Sequence, residues 1–299
     1  MRPPNRLKAI LVSLLVVVIW SSSWVLIKIG LREIPALTFA GLRYFMAFLV
    51  LLPFLLQRQV KQQIREFSRG DWKLVILLGL ISYFIAQGAQ FLSLDYLPAT
   101  TLSLMLNLTS VFVTFSAIFL IKEVPTPIQI IGLVINLIGI FIFFFPEGFS
   151  GYSPLGFIFG IICLLANGVA TILGRKLNYQ GRLNPIAVTL VSLGIGSTLM
   201  LGIGLLWQGL PPISVQSLVI LLILAIVNTA FTFVAWNYTL QTLSAMESSI
   251  INGMMLVFIT IFSWIFLGES QSLKGVIGLF LALIGAIIVN IRIERKARG

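Results

Sequence analysis

The residue types that most enzymes use for chemistry are nearly absent from this sequence. It contains no histidine and a single cysteine, Cys163. Histidine and cysteine are the usual ligands of zinc and haem, histidine is the base of a Ser-His-Asp triad, and a disulfide needs two cysteines. The sequence also lacks a G-x-x-x-x-G-K-[ST] motif, whose backbone amides would hold the phosphates of ATP. We therefore expect no enzymatic activity, no metal and no cofactor.

Neutral polar and aromatic side chains recur instead at spacings of three or four residues, which place them on one side of a helix. A polar group at membrane depth needs a partner, which can be another helix, water or a substrate. We predict that eleven such residues bind substrate: Trp20, Trp24, Tyr83, Gln87, Ser103, Asn107, Asn167, Asn228, Thr232, Trp236 and Asn252. The alternative for the serine and threonine residues is a hydrogen bond to their own helix backbone.

Three charged residues are further candidates. Arg43 lies roughly eight residues into an apolar segment, about 12 Å along a helix axis at about 1.5 Å per residue. It either contacts a charge on the substrate or extends its side chain to the membrane surface. Glu123 and Glu269 each precede a turn that contains proline or serine, so we expect them to be helix end-caps or gate anchors.

The nine acidic residues of the sequence all fall in predicted loops or near predicted helix ends. Carboxylates deep in the membrane are the usual relays for protons or sodium ions. Their absence from the predicted span centres argues against tight proton coupling and favours facilitated export down a gradient.

The composition is that of an integral membrane protein. Apolar residues make up 59% of the 299 residues and charged residues 10%, compared with roughly 45–50% and 25% in soluble globular proteins. The mean hydropathy is +1.07. The apolar runs are unbroken and lack the alternation of a membrane β-strand, so they predict an all-α protein.

A helix needs about 20 apolar residues to cross a hydrocarbon core of about 30 Å. Ten segments meet this requirement: roughly 7–30, 36–56, 72–94, 99–120, 127–145, 153–174, 185–206, 214–239, 246–267 and 273–292. We call them spans 1 to 10. The first run is too long for a signal peptide and has no convincing cleavage site, which indicates a retained helix.

The distribution of basic residues predicts the orientation. With both termini in the cytoplasm, 16 of the 20 lysine and arginine residues lie on the cytoplasmic side and three on the other, as the positive-inside rule requires. The net charge of +11 is then a topology signal, and we expect no nucleic-acid partner. The predicted location is the cytoplasmic (inner) membrane.

The two halves of the sequence align at an offset of 146 residues. At this offset Glu123 matches Glu269, and Gly132 and Gly139 match Gly278 and Gly285. The predicted repeats are residues 1–147 and 148–299. Each holds five spans, and because five is odd the repeats must be inverted relative to each other. Inverted repeats are typical of secondary transporters that bind substrate near the membrane midplane, although a duplication retained only for stability is the alternative.

The opening of the chain resembles the EamA family of the drug/metabolite transporter superfamily. The resemblance rests on the stretch from Trp20 to Trp24, on Lys28, Pro35 and Arg43, and on a glutamate at the end of spans 4 and 9 that is followed by glycines nine and sixteen residues later. The usual glycine after the first tryptophan is Ser21 here. The resemblance implies export of amino acids or other metabolites through a cavity among spans 1, 3, 4, 6, 8 and 9, with spans 5 and 10 peripheral.

We therefore predict a carrier that exports small metabolites, with amino acids as the leading class, by alternating access. The expected partners are a small-molecule substrate and the lipid bilayer, and the expected state is a monomer or weak homodimer. The alternatives are a broad exporter of lipophilic drugs or of other metabolites such as nucleobases and sugars, and, in a different class, a channel or a non-transporting scaffold.

Overall fold

The part of the chain that the computed structural model describes is helical and contains no strands. It comprises residues 5–121, 126–144, 153–178, 183–239, 242 and 251–290. The helices are α1 Arg6–Gly30, α2 Ala36–Leu56, α3 Arg58–Arg65, α4 Arg69–Tyr96, α5 Ala99–Ile121, α6 Pro127–Phe144, α7 Pro154–Asn178, α8 Pro185–Gln208, α9 215–239, α10 Ile251–Leu267 and α11 Leu273–Asn290.

Helix length and composition identify a multi-pass membrane protein. Within the described residues, six helices are long and apolar enough to cross a membrane: α1, α2, α4, α6, α7 and α8. Shorter apolar stretches lie in α9, α10 and α11. Pro127, Pro154 and Pro185 begin α6, α7 and α8, because a proline in the first helical position loses no hydrogen bond.

In the part of the chain that the structure describes, α4 and α9 each contain a π-helical turn. In α4 the π-helical turn covers Gly79–Ala86, and in α9 it covers Ile226–Phe231. The offset of 146 residues that aligns the two halves places the first turn on residues 225–232. The two irregular turns therefore occupy matching positions in the sequence. Such turns are rare and are frequently found at functional sites.

The chain divides into two compact units. Unit A comprises residues 1–22, 99–151 and 234–299, and unit B comprises residues 23–98 and 152–233. Each unit draws segments from both predicted repeats. The units are groups in space, whereas the repeats are segments of sequence, so the division into repeats stays a prediction.

In unit A, α6 and α11 run in opposite directions and pack through glycines. A Cβ atom added to Gly139 would lie 2.6 Å from the carbonyl oxygen of Gly278, and one added to Gly285 would lie 2.6 Å from that of Gly132. No side chain fits at this separation, so the two backbones approach closely. The repeat offset of 146 residues matches Gly139 with Gly285 and Gly132 with Gly278. It therefore converts the contact between Gly139 and Gly278 into the contact between Gly285 and Gly132.

In unit B, α2 and α8 also approach through a glycine. A Cβ atom on Gly204 would lie 2.8 Å from the amide nitrogen of Thr38. The side chain of Gln208 in α8 accepts hydrogen bonds from the amides of Leu37 (2.8 Å) and Thr38 (3.2 Å) at the start of α2. These amides have no partner within their own helix, so the glutamine side chain caps it.

The short helix α3 of unit B is amphipathic and was not among the predicted spans. Val60 and Phe67 are buried in an apolar cluster with Leu183 and Val188, and Ile64 packs against it. The basic side chains on the opposite side are exposed: Arg58, Lys61 and Arg65. Its sequence is too polar and too short for a span.

Candidate functional site

Arg43 is a charged residue that is buried within the apolar helix α2. Only 5% of it is exposed, although it lies within α2. Its Nε donates a hydrogen bond to Oγ1 of Thr229 at 3.2 Å. Among the described residues no carboxylate forms an ion pair with it. A charge at this depth costs about 2.5–3.5 kcal/mol on insertion scales, so its retention calls for an interaction that uses the charge.

Two aromatic rings lie near the guanidinium group. Its central carbon lies 5.0 Å from the ring centroid of Tyr44 and 6.0 Å from that of Phe91. The negative face of an aromatic ring attracts a cation over such distances. The rings thus replace part of the hydration that Arg43 loses by burial.

Tyr44 links Arg43 to the π-helical turn of α4. Its hydroxyl group donates a 2.5 Å hydrogen bond to Oε1 of Gln87, and its ring centroid lies 6.1 Å from that of Tyr83. Tyr83 belongs to the π-helical turn and Gln87 comes directly after it. Two predicted site residues, Tyr83 and Gln87, are therefore brought together against Tyr44 in unit B.

The π-helical turn of α9 supplies the other side of this cluster. Asn228 and Thr229 are buried in this turn, and Thr232 is buried directly after it. The Thr229 hydroxyl donates to the carbonyl oxygen of Leu224, five residues earlier, at 2.8 Å. The Thr232 hydroxyl donates to the carbonyl oxygen of Asn228 at 2.9 Å. Thr232 thus makes the backbone hydrogen bond that was the alternative to substrate binding.

The remaining candidates in unit B have local contacts. Trp24 is buried with 6% exposure. The Asn167 amide donates to the carbonyl oxygen of Cys163, one turn earlier in its own helix, at 2.9 Å. Neither observation assigns these residues to a substrate.

In unit A, two predicted tryptophans meet. The ring centroids of Trp20 and Trp236 lie 5.3 Å apart with the planes inclined at 47°. Ser103 is buried and donates to the carbonyl oxygen of Thr100 in its own helix, at 2.8 Å. Asn107 is half-buried, and Asn252 is exposed. The contact between Trp20 and Trp236 is therefore the main grouping of predicted site residues in this unit.

Glu269 has the geometry of a helix cap. Its carboxylate accepts hydrogen bonds from the backbone amides of Ala99 (2.9 Å) and Thr100 (3.1 Å), the first residues of α5. A carboxylate at this position satisfies amides that lack helical partners and favours the positive end of the helix dipole. Glu123, its predicted counterpart, lies outside the described residues.

A second carboxylate cap lies in unit B. Glu33, between α1 and α2, accepts hydrogen bonds from the amide (2.6 Å) and hydroxyl (2.7 Å) of Ser214, where α9 begins, and from the hydroxyl of Ser217. These hydrogen bonds lower the pKa of Glu33 from its ordinary value of 4.5, and the bond from Ser217 has the largest effect. Like Glu269, Glu33 accepts hydrogen bonds from the first residues of a helix.

Sequence reasoning missed Tyr44, Phe91 and Thr229 in the cluster around Arg43. Two signals were available. Tyr44 adjoins the intramembrane arginine, and Thr229 lies 146 residues after Tyr83, at the matching position of the second half.

Comparison with known proteins identifies the family of this chain. The model of the EamA-like transporter family matches it twice, over residues 7–145 and 154–291. The chain belongs to the EamA-like transporter family. The two matches cover the two halves that the sequence offset separates, and the resemblance of the opening residues to this family is confirmed.

Relatives that match most of this EamA-like transporter are named as transporters. The uncharacterized transporter YoaV of Bacillus subtilis is 24% identical over 94% of this chain and 96% of the relative. An uncharacterized transporter of Archaeoglobus fulgidus is 24% identical over 92% of this chain and 95% of the relative. The S-adenosylmethionine/S-adenosylhomocysteine transporter of Chlamydia trachomatis is 24% identical over 84% and 80%. This chain is therefore a membrane transporter.

One solved crystal structure has the same fold. It superposes with a TM-score of 0.69 and covers 95% of this chain and 98% of its own, at 17% sequence identity. At this identity the likeness describes the fold alone.

Proposed function

We propose that this transporter is a secondary carrier that exports small metabolites, with amino acids as the leading substrate class, across the cytoplasmic membrane by alternating access. The observation that carries the substrate class is the cluster of Arg43, Tyr44, Tyr83 and Gln87 in unit B. It combines a cation, an amide and aromatic rings at membrane depth. An amino acid with an apolar side chain carries groups complementary to all three.

The similarity to the Chlamydia transporter supports the same class. That relative is named for S-adenosylmethionine and S-adenosylhomocysteine, which are different substrates from free amino acids. Both molecules nevertheless carry an α-amino carboxylate group. An EamA-like carrier that recognises such a group would accept amino acids by the same chemistry.

We further propose ten membrane spans arranged as two inverted repeats of five, with both termini in the cytoplasm. The glycine contacts between α6 and α11 support the inversion. The two helices are antiparallel, and the repeat offset converts the contact of Gly139 with Gly278 into that of Gly285 with Gly132. A two-fold axis perpendicular to the helices relates contacts in this way. Asn136 supports it as well, because its amide donates to the carbonyl oxygen of Ala282, the position 146 residues later, at 2.7 Å.

Inverted repeats favour alternating access for an energetic reason. Two similar halves can exchange conformations, so the inward-open and outward-open states differ little in packing. A small difference lets substrate binding shift the population between them.

The proposal of facilitated export rests on the acidic residues. Glu33 and Glu269 are engaged at helix N-termini, and Asp71 caps the start of α4 through a reciprocal bond with Ser68. None of these three is placed to carry protons through a span. Without a coupling ion, net transport runs down the substrate gradient, which for a metabolite made in the cell is outward.

A broad exporter of lipophilic compounds is the second candidate, and the contact between Trp20 and Trp236 favours it. Two tryptophans at 5.3 Å present a large aromatic surface, and aromatic faces attract organic cations. In this case the aromatic residues would determine affinity and the amides would not.

A binding panel on purified protein distinguishes the two candidates. A ligand at about 100 times its Kd adds roughly 2.7 kcal/mol to the stability of the folded state, which raises the unfolding temperature. We expect amino acids with apolar side chains to raise it and lipophilic cations to leave it unchanged. A rise with the cations alone would reject the amino-acid proposal in favour of the second candidate.

A further inference from the structure

The hydrogen-bond inventory around Arg43 has more donors than acceptors. Nε of Arg43 bonds to Thr229, and within the described residues its Nη1 and Nη2 have no hydrogen-bond partner. A guanidinium carries five N–H donors and no acceptor. Four of these N–H groups therefore have no acceptor among the described residues, although only 5% of Arg43 is exposed.

Two neighbouring side-chain oxygens of the described residues each accept one hydrogen bond already. Oε1 of Gln87 accepts from the Tyr44 hydroxyl, and Oγ1 of Thr229 accepts from Nε of Arg43 while donating to Leu224. The Gln87 amide nitrogen adds two further donors, which form no hydrogen bond within the described residues. Among the described residues, no carboxylate offers this cluster a negatively charged acceptor.

The backbone that carries these groups is irregular on both sides. Thr229 lies in the π-helical turn of α9, and Tyr83, which packs on Tyr44, lies in that of α4. The 146-residue offset takes Tyr83 to Thr229. The two halves of the chain therefore each contribute one π-helical turn to the same cluster, which indicates a built site more than an isolated buried arginine.

We propose that Arg43 is the counter-ion for a carboxylate of the transported substrate, with the Gln87 amide as a second donor. This inference rests on the proposed function and narrows it, because it requires every good substrate to be a carboxylate. A carboxylate is acceptor-only and matches the planar fork of a guanidinium. One cation balances one negative charge, which fits a monocarboxylate better than a phosphate dianion.

The alternative is a purely structural arginine. In that case the bond to Thr229 would hold the π-helical turn, and the rings of Tyr44 and Phe91 would provide the remaining stabilisation. A structural role predicts a loss of stability on replacement, but no preference between substrates that differ only in the carboxylate.

The test compares ligands that differ in that one group. Wild-type protein in proteoliposomes exchanges a labelled amino acid, and the competitors are the unlabelled acid, its amide, its methyl ester and the decarboxylated amine. We expect the acid to compete at least tenfold better than the other three. Equal competition by acid and amide would overturn the inference while leaving the proposed carrier intact.

The variants assign the preference to the residue. Arg43→Gln should reduce competition by the acid at least tenfold and bring it to the level of the amide, and Arg43→Lys should retain part of the preference because it keeps the charge. Arg32→Gln, which removes an exposed charge in the loop after α1, is the matched control and should behave as wild type.

Each further outcome has one meaning. A folded Arg43→Gln protein that still prefers the acid would overturn the inference and leave the structural role. If Arg43→Gln does not fold, the comparison of acid and amide on the wild type decides alone. Folded wild-type protein that exchanges none of the acids would contradict the proposed function itself.

Discussion

Asn228 and Trp20 are the residues whose replacement best separates a role in transport from a role in folding. Asn228 is buried in the π-helical turn of α9, and Trp20 packs on Trp236. We expect Asn228→Leu and Trp20→Ala each to abolish transport while the yield of folded protein stays unchanged. Transport assays together with size-exclusion profiles measure both quantities.

The control for the tryptophan is Trp264→Ala. Trp264 is 62% exposed on α10, so its removal should leave transport unchanged. Wild-type transport by both Asn228→Leu and Trp20→Ala would contradict the site assignment. Loss of transport with Trp264→Ala would show that replacing any tryptophan impairs the protein, so that the effect of Trp20→Ala would not be specific to the site.

Glu33 gives the fold a defined dependence on pH. Its pKa is lowered in the folded state, mainly by the Ser217 and Ser214 hydroxyls, from the ordinary value of 4.5. A lowered pKa means that the ionised group stabilises the fold. This stabilisation is complete above pH 4.5 and is lost as the pH falls through the lowered pKa.

The prediction concerns the difference between wild type and Glu33→Gln. At neutral pH the wild type should unfold at the higher temperature, and this advantage should shrink as the pH falls below 4.5. Ser217→Ala removes the hydroxyl that lowers the pKa of Glu33 most. In this background, the difference in unfolding temperature between Glu33 and Glu33→Gln should be smaller and should depend on pH in the same way. An advantage that does not change between pH 7 and pH 3 would contradict the account of Glu33 as a charged cap.

The residues of the site were only partly predictable from sequence. Tyr83 and Gln87 were chosen for their spacing of four residues, and both lie against Tyr44. The spacing argument is less reliable in α9, where Asn228, Thr232 and Trp236 were expected on one side. A π-helical turn holds one more residue than an α-helical turn, so it rotates the later residues of the helix about its axis. Asn228 lies within this turn, whereas Thr232 and Trp236 both follow it.

At the scale of helices, the close contact between α2 and α8 can be tested with two glycines of the same helix. A Cβ atom on Gly204 would lie 2.8 Å from the amide nitrogen of Thr38, whereas one on Gly202 would meet nothing within 4 Å. We expect Gly204→Ala to lower stability by about 1–3 kcal/mol, the usual cost of overpacking.

Gly202→Ala is the matched control, because it makes the same chemical change in open space. Alanine has the higher helix propensity, so this variant should be neutral or more stable by up to about 1 kcal/mol. Unfolding temperatures of both variants in the same detergent measure the difference. Equal effects of the two replacements would show that the α2–α8 contact is looser than described.

The helices themselves were largely predictable. Unbroken apolar runs and the prolines at their starts place α6, α7 and α8 at the predicted residues 127, 153 and 185 to within one residue. The caps by Gln208 and Glu33 were not predicted. Each bonds to helix starts far away in the sequence, and no local pattern encodes a partner about 170 or more residues distant.

At the scale of the whole molecule, inversion of the repeats predicts that equivalent ends lie on opposite sides of the membrane. Leu56 ends the second span of the first repeat, and Leu210 follows the second span of the second repeat. Both residues are exposed, at 87% and 56%. In a Cys163→Ala background, we expect Leu210→Cys to react with an impermeant maleimide on intact cells and Leu56→Cys to react only after permeabilisation.

Parallel repeats would place both cysteines on one side. Labelling of both, or of neither, in intact cells would therefore contradict the inversion. Labelling of Leu56→Cys alone would retain the inversion and reverse the predicted orientation of the termini.

The central claim is that this EamA-like transporter is a carrier for amino acids, and counterflow in proteoliposomes tests it most directly. Vesicles are loaded with one unlabelled amino acid with an apolar side chain, and uptake of the same labelled compound is measured over time. We predict saturable uptake that transiently exceeds equilibrium in loaded vesicles and is absent from unloaded ones. Uptake that never saturates and does not depend on loading would indicate a channel, and folded protein without uptake across the amino-acid panel would contradict the claim.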